Sequence, residues 1–241
     1  MMRLITYIIL LTIIFGCKKP SERSCWKSNG EVSHINKIIT TTNKITVLDN
    51  LNLILINDSL NEIIIEGPKN LIKLIELDQK NHQITIKNNN RCNFLRKNMD
   101  INIHYHYKQL DSLILKGYGN VSNNGEMNHS IFINAKDALC SINLKLNNDS
   151  NKIIIQNGST DINLSGNCSY FYFYNEGFGP LKAFELEAKK THIHSNSISN
   201  SEINVTEQLN AEIRNNGNIY YKGTPTIIQT TNSGNGRLIP Q

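Results

Sequence analysis

Two histidine pairs are the residues readiest to do chemistry. His104 and His106 sit two positions apart, as do His192 and His194. On a strand that spacing puts both imidazoles on one face, where they could share a zinc ion. Zinc needs further ligands, and none stands at short spacing from either pair. Solvent-facing histidine on a strand accounts for both, so no metal and no cofactor is expected. The densest aromatic run is Tyr170-Phe171-Tyr172-Phe173-Tyr174. Alternation puts Tyr170, Tyr172 and Tyr174 on one face and the two phenylalanines on the other. With phenylalanine toward a core, the tyrosine row is free to contact a ligand such as sugar rings. With tyrosine inward, the run is a core strand.

Catalytic signatures are absent. There is no G-x-S-x-G, no H-E-x-x-H and no G-x-x-x-x-G-K-[ST]. The outward positions of the second half are mostly Asn, Lys, Ser and Glu, among them Asn143, Lys145, Asn163, Glu202 and Asn204. Glycoside hydrolysis needs two carboxylates about 5–10 Å apart, and the sequence offers no evident pair. A non-catalytic protein is therefore expected, with a carbohydrate-active enzyme as the alternative. Two glycine-rich stretches near the C-terminus, Arg214 to Pro225 (RNNGNIYYKGTP) and Asn232 to Arg237 (NSGNGR), resemble ligand cradles. A phosphate cradle leads into a helix N-terminus, whereas strand patterns follow here. They read as corners, with Ile219 and Tyr221 inward and Tyr220 and Lys222 left as surface contacts.

The elements that must carry these residues are strands. The chain of 241 residues holds 37 Asn and 36 Ile. Ile suits a pleated surface, and Asn tolerates the left-handed backbone of turns. Strand patterns cover Ile45–Leu48, Leu51–Ile56, Ile63–Ile65, Ile84–Ile86 and Ile101–Tyr107, divided by Asn, Asp, Gly and Pro. In the last of these Ile101, Ile103, Tyr105 and Tyr107 point inward and the two histidines outward. Leu71–Leu77 is too short for a typical helix and reads as strand or turn. In the second half an anchor recurs at Val121, Ile142, Ile162, Lys182, Ile203, Ile219 and Leu238, with spacings of 21, 20, 20, 21, 16 and 19 residues; Lys182 is not apolar, and that rung rests on its neighbours Leu181 and Ala183. A period near 20 residues suggests a β-solenoid over an irregular β-sandwich.

The first residues address the compartment. Arg3 precedes the 12-residue apolar run Leu4–Phe15, which is too short to span a membrane and reads as a secretory signal peptide over residues 1–16. Ile14-Phe15-Gly16-Cys17 resembles a bacterial lipobox, which makes Cys17 the lipidated residue and 17–30 a tether. No Asp follows Cys17, so the expectation is an outer-membrane lipoprotein, on the periplasmic or the outer side. The formal net charge of +5 is spread out, without a basic stripe, so nucleic acid is not expected. Four further cysteines, Cys25, Cys92, Cys140 and Cys168, allow three connectivities in an oxidising compartment. Cys140 shares parity with Ala138, Ile142 and Leu144 and is expected to be a buried free thiol.

From the tether onward the chain resembles the bacterial head GIN domain family, often labelled putative autotransporter adhesin, many of whose members are lipoproteins of Bacteroidota. The resemblance rests on the order of Cys25–Gly30, Gly67–Ile72, Asn88–Asn93, Asn175–Leu181 and GNIYYKGTP. It implies an all-β fold over 31–241, a right-handed parallel β-helix-like solenoid over 111–241 with a more irregular β region over 31–110. It implies a Cys25–Cys92 disulfide, since both cysteines lie in family-like segments. It carries over no catalytic residue. The resulting expectation is a membrane-anchored protein that serves adhesion, envelope structure or ligand binding, with a glycan, an envelope polymer or a protein as partner.

Overall fold

The structure, a computed structural model, describes residues 28–90 and 100–241. Cys17, Cys25 and Cys92 lie outside these residues, and with them the signal peptide, the lipid site and the disulfide expectation. Among the described residues no helix is long and apolar enough to cross a membrane.

The fold is nearly all β. In chain order the first strands are β1 (Val32–Ile38), β2 (Lys44–Asn50), β3 (Asn52–Asn57) and β4 (Glu62–Pro68). A single helical turn, α1 (Lys69–Ile72), follows, then β5 (Ile75–Lys80), β6 (Gln83–Asn88) and β7 (Asn102–Tyr107). The Leu71–Leu77 segment is thus split: Leu71 and Ile72 are buried in the helical turn, and the strand starts only at Ile75. The second half comprises β8 (Ser112–Asn124), the long β9 (Ile131–Asn175), β10 (Leu181–Ser195), β11 (Ser201–Ile213), β12 (Ile219–Lys222), β13 (Ile227–Asn232) and β14 (Leu238–Pro240).

These strands form one large sheet that folds over its own core without closing. The N-terminal part is mixed: β1–β4, β4–β7 and β5–β6 are antiparallel, whereas β2 pairs in parallel with β6 and β8, and β3 with β7 and β8. From β8 onward every pairing between strands is parallel, each pass lying on the previous one. Partners are offset by 17 residues at the least (Ala188 with Val205) and 21 at the most (Val121 with Ile142), so the period read from the sequence is the stacking period. The aligned column differs from the expected one at one tier. At the Lys182 rung the apolar neighbour Leu181 stacks on Ile162, but Ser201, not Ile203, lies between Leu181 and Ile219. Lys182 is exposed, while Ser201 is buried with its hydroxyl unpartnered.

Alternation builds the core. Ile101, Ile103, Tyr105 and Tyr107 are buried, and so are Phe171 and Phe173, whose rings stack at 6.1 Å. Each such side chain removed from water stabilises the fold by about 1.5–3 kcal/mol. The corners are held by asparagine and glycine. Asn157 adopts φ 58° and its amide reaches Asp137 of the tier before at 3.1 Å. At Gly166 the backbone sits at φ 104°, and a Cβ there would overlap the carbonyl oxygen of Leu146. The RNNGNIYYKGTP stretch is a corner followed by β12. The Gly217 amide donates to the Ser197 carbonyl at 2.9 Å, and Asn235 of NSGNGR donates to Asn216 at 2.9 Å, one corner on the next.

Candidate functional site

The site begins with an irregularity in β10. From Ala183 to Glu187 this strand takes four steps, while its neighbour β11 takes one, from Ile203 to Asn204. Against β9 on the other side it gains one residue between Lys182 and Glu185. The surplus forms a bulge at Phe184-Glu185-Leu186. Leu186 is buried, Phe184 half-buried and Glu185 exposed, and the Asn204 amide closes the bulge on the Phe184 carbonyl at 3.3 Å. Bulges re-aim side chains and are enriched beside functional sites.

Beside this bulge lies a groove of about 590 Å³, within the range of ligand pockets. One wall is a column of outward residues stacked tier on tier: Ser122, Asn143, Asn163, Lys182 and Glu202. Tyr220 continues that column beyond the groove, its hydroxyl accepting from the Asn218 amide at 3.3 Å. The Asn163 amide donates to Asn143 at 2.8 Å, and the Asn143 amide donates to Ser141 at 3.0 Å, which fixes both rotamers. Asn123 clamps the Lys145 backbone through both its amide and its carbonyl, at 2.8 and 2.9 Å. Lys145 reaches Glu126 at 2.8 Å, and its hydrogen bond, with that of Asn147, holds the Glu126 carboxyl below its ordinary value. Across the groove the Lys222 ammonium lies 4.4 Å from the centre of the Phe184 ring. Among the described residues Lys182, Glu185 and Glu202 form no ion pair, although Lys182 and Glu202 are neighbours in register. The groove therefore sets the ammonium of Lys182 and the carboxylates of Glu185 and Glu202, which form no ion pair among the described residues, beside asparagine amides held by hydrogen bonds. Such a set recognises hydroxyl-rich or charged ligands.

The tyrosine row stands on a different outward face. Phe171 and Phe173 point inward, as one of the two sequence readings required, which leaves Tyr172 and Tyr174 half-buried and Tyr170 exposed. The ring faces are largely used within the protein. Lys152 lies 5.1 Å from the Tyr172 centre and 5.7 Å from that of Phe132, while His192 meets Tyr172 edge-on at 5.3 Å. Tyr174 meets His194 edge-on at 4.9 Å. His194 Nδ1 lies 3.1 Å from Glu212, which Arg214 also contacts at 2.6 Å. The His194 Nε2 is buried and has no hydrogen-bond partner among the described residues. Burial pulls the His194 imidazole below its ordinary value; Glu212 opposes the fall, and Arg214 and His192 add to it. The other histidine pair is tied to carboxylates, His104 to Glu66 at 3.0 Å and His106 to Asp58 at 2.7 Å. Cys140 and Cys168 are free thiols. Cys168 is the buried one, and burial pushes its thiol up to about 11. Cys140 is half-buried rather than buried; it packs against the core with its thiol 3.6 Å from the Thr160 hydroxyl.

The structure thus separates the expected contacts. Lys222 lines the groove, Tyr220 sits at its edge, and Tyr170, Tyr172 and Tyr174 lie on another face. Sequence reasoning missed Lys182, Phe184 and Glu185 as site residues, and it missed that Glu185 and Glu202 share one groove. The sequence spacing held no signal for them, since the 16-residue step came from taking Ile203 instead of Ser201 as the anchor.

A family model described as "Putative auto-transporter adhesin, head GIN domain" matches residues 42–225. The chain is similar to the solved structure of a putative adhesin from Bacteroides fragilis NCTC 9343, with 21% identity, 88% of this chain and 97% of that one covered, and a TM-score of 0.81. A putative adhesin from Parabacteroides merdae ATCC 43184 shares 20% identity over 88% of this chain and 96% of its own, with a TM-score of 0.62. A putative lipid binding protein from Parabacteroides distasonis ATCC 8503 shares 20% identity over 87% and 97%, with a TM-score of 0.54. These likenesses show a shared fold. No curated protein matches the chain.

Proposed function

Since the chain belongs to the head GIN domain family of putative auto-transporter adhesins, we propose that it is an exported, lipid-anchored and non-catalytic binding protein. Its tiers wind as a right-handed β-helix, Cys17 carries the anchor in the outer membrane, and the groove beside the β10 bulge receives a glycan or another hydroxyl-rich envelope polymer. The observation that carries this reading is the column Asn143, Asn163, Lys182 and Glu202. It places a polar group on each tier, so a polymer laid along it meets a partner every ~4.8 Å. A shallow polar groove on a rigid stack suits an extended ligand.

The test is a glycan and envelope-polymer binding screen on the purified chain, followed by titration calorimetry. Each of Asn163→Ala, Lys182→Ala and Glu202→Gln should weaken binding by about tenfold, the effect of losing one buried polar contact to a charged or polar ligand. Tyr172→Ala should leave it unchanged. Equal affinity in all the groove variants would sink the assignment. Palmitate labelling that is lost in Cys17→Ala tests the anchor.

A second reading is a glycoside-cleaving enzyme. It is favoured by Glu185 and Glu202 lining one groove, an arrangement that acid–base cleavage uses. New reducing ends from a bound polymer, abolished by Glu185→Gln and by Glu202→Gln, would select it.

A further inference from the structure

The two ends of the stack differ in how their edge strands are protected. An edge strand exposes unpaired backbone groups, and natural proteins guard it with charge, proline or shortness. At the N-terminal end β1 carries His34 and Lys37, and β5 carries Glu76, Asp78 and Lys80. At the other end β14 is three residues long and contains Pro240. The remaining edge strand, β13, has none of these devices. Its six residues, Ile-Ile-Gln-Thr-Thr-Asn, include no charge and no proline, and all are exposed. Among the described residues it pairs with β11 alone. Ile228 stacks on the fully buried Leu209, so it stands in a core column yet remains 44% exposed, with no tier of the described residues over it. Residues 223–241 hold a single charged side chain, Arg237.

We infer that β13 is a dimerisation edge, which pairs antiparallel with β13 of a second copy of this chain across a two-fold axis. A second copy fits because the strand is its own complement. An uncharged strand meets itself without like-charge repulsion, and threonine pairs well with threonine across strands. Placing Thr230 on the axis sets Ile228 opposite Asn232 and Gln229 opposite Thr231. That register keeps the core-facing residues Ile228, Thr230 and Asn232 on the core side of both copies. A two-fold contact uses the same edge twice, so assembly stops at two.

Sedimentation velocity on the full chain in density-matched detergent tests this over a wide range of concentration. A reversible monomer–dimer equilibrium is expected. Gln229→Glu with Thr231→Glu sets glutamates opposite each other and should weaken association roughly tenfold or more. Gln229→Lys with Thr231→Glu sets opposite charges together and should keep the dimer. Both pairs change outward positions, and matching circular dichroism and melting curves would establish that each variant folds. A wild type that stays monomeric, species larger than a dimer, a Glu/Glu variant that still dimerises, or a folded Lys/Glu variant that does not, would each overturn the proposal.

Discussion

His194 shows how one residue's surroundings fix its charge. Its Nδ1 lies 3.1 Å from the Glu212 carboxylate, and its Nε2 is buried without a partner among the described residues. Burial disfavours the charged imidazolium by more than Glu212 favours it, and Arg214 and His192 add to the burial, so the folded value lies below the ordinary 6.5. The unfolded chain then binds the proton first. Stability is complete above the ordinary value and falls as pH drops through it toward the folded value. Melting temperature is expected to decline between about pH 7 and pH 5, and to decline less in His194→Gln. An identical pH profile for the two would contradict this. The outward placement of His194 was legible from alternation, whereas Tyr174 was left open, since alternation alone fits either side of the aromatic run to the core. Their pairing was not, since it depends on which tier lies next to which.

At the scale of elements, corners and bulges decide more than strand propensity does. Gly166 combines a positive φ with backbone contact to Leu146. Gly166→Ala should cost about 2–4 kcal/mol from strain and overlap together, read as a shift of the urea midpoint at constant slope. In the strand interior Phe173 is fully buried, and Phe173→Ala should cost about 3–5 kcal/mol. The strands were readable because Ile, Val and Phe alternate with polar residues at period two. The β10 bulge was not, because it interrupts that period. Phe184, Leu186 and Ala188 look like a regular alternation, yet Phe184 is half-buried while the other two are buried. The groove depends on that interruption, so its residues could be listed from the sequence but not assembled. Ser201 was hidden for another reason: a buried serine in a core column carries no apolar signal.

At the scale of the whole molecule, stacked tiers touch mainly their neighbours, so local stability sums over interfaces. Among the described residues the last tier has an interface on one side only, with β13 on β11 and β14 on β12. Native-state hydrogen exchange should therefore release the β13 and β14 amides well before those of β9 and β10, and dimer formation should slow β13 selectively. Uniform protection along the stack would contradict both statements. The period near 20 residues made this architecture legible, whereas the difference between the ends required knowing which strands end up unpaired.

The groove crosses tiers rather than running within one, from Ser122 on β8 to Glu202 on β11. A polymer seated there would touch segments that are distant along the chain and joined otherwise only through the intervening passes. It would act as a splint. A tethered molecule under shear would then resist fraying where it holds its ligand. The tug that threatens the attachment would load five passes of chain at once instead of peeling them singly.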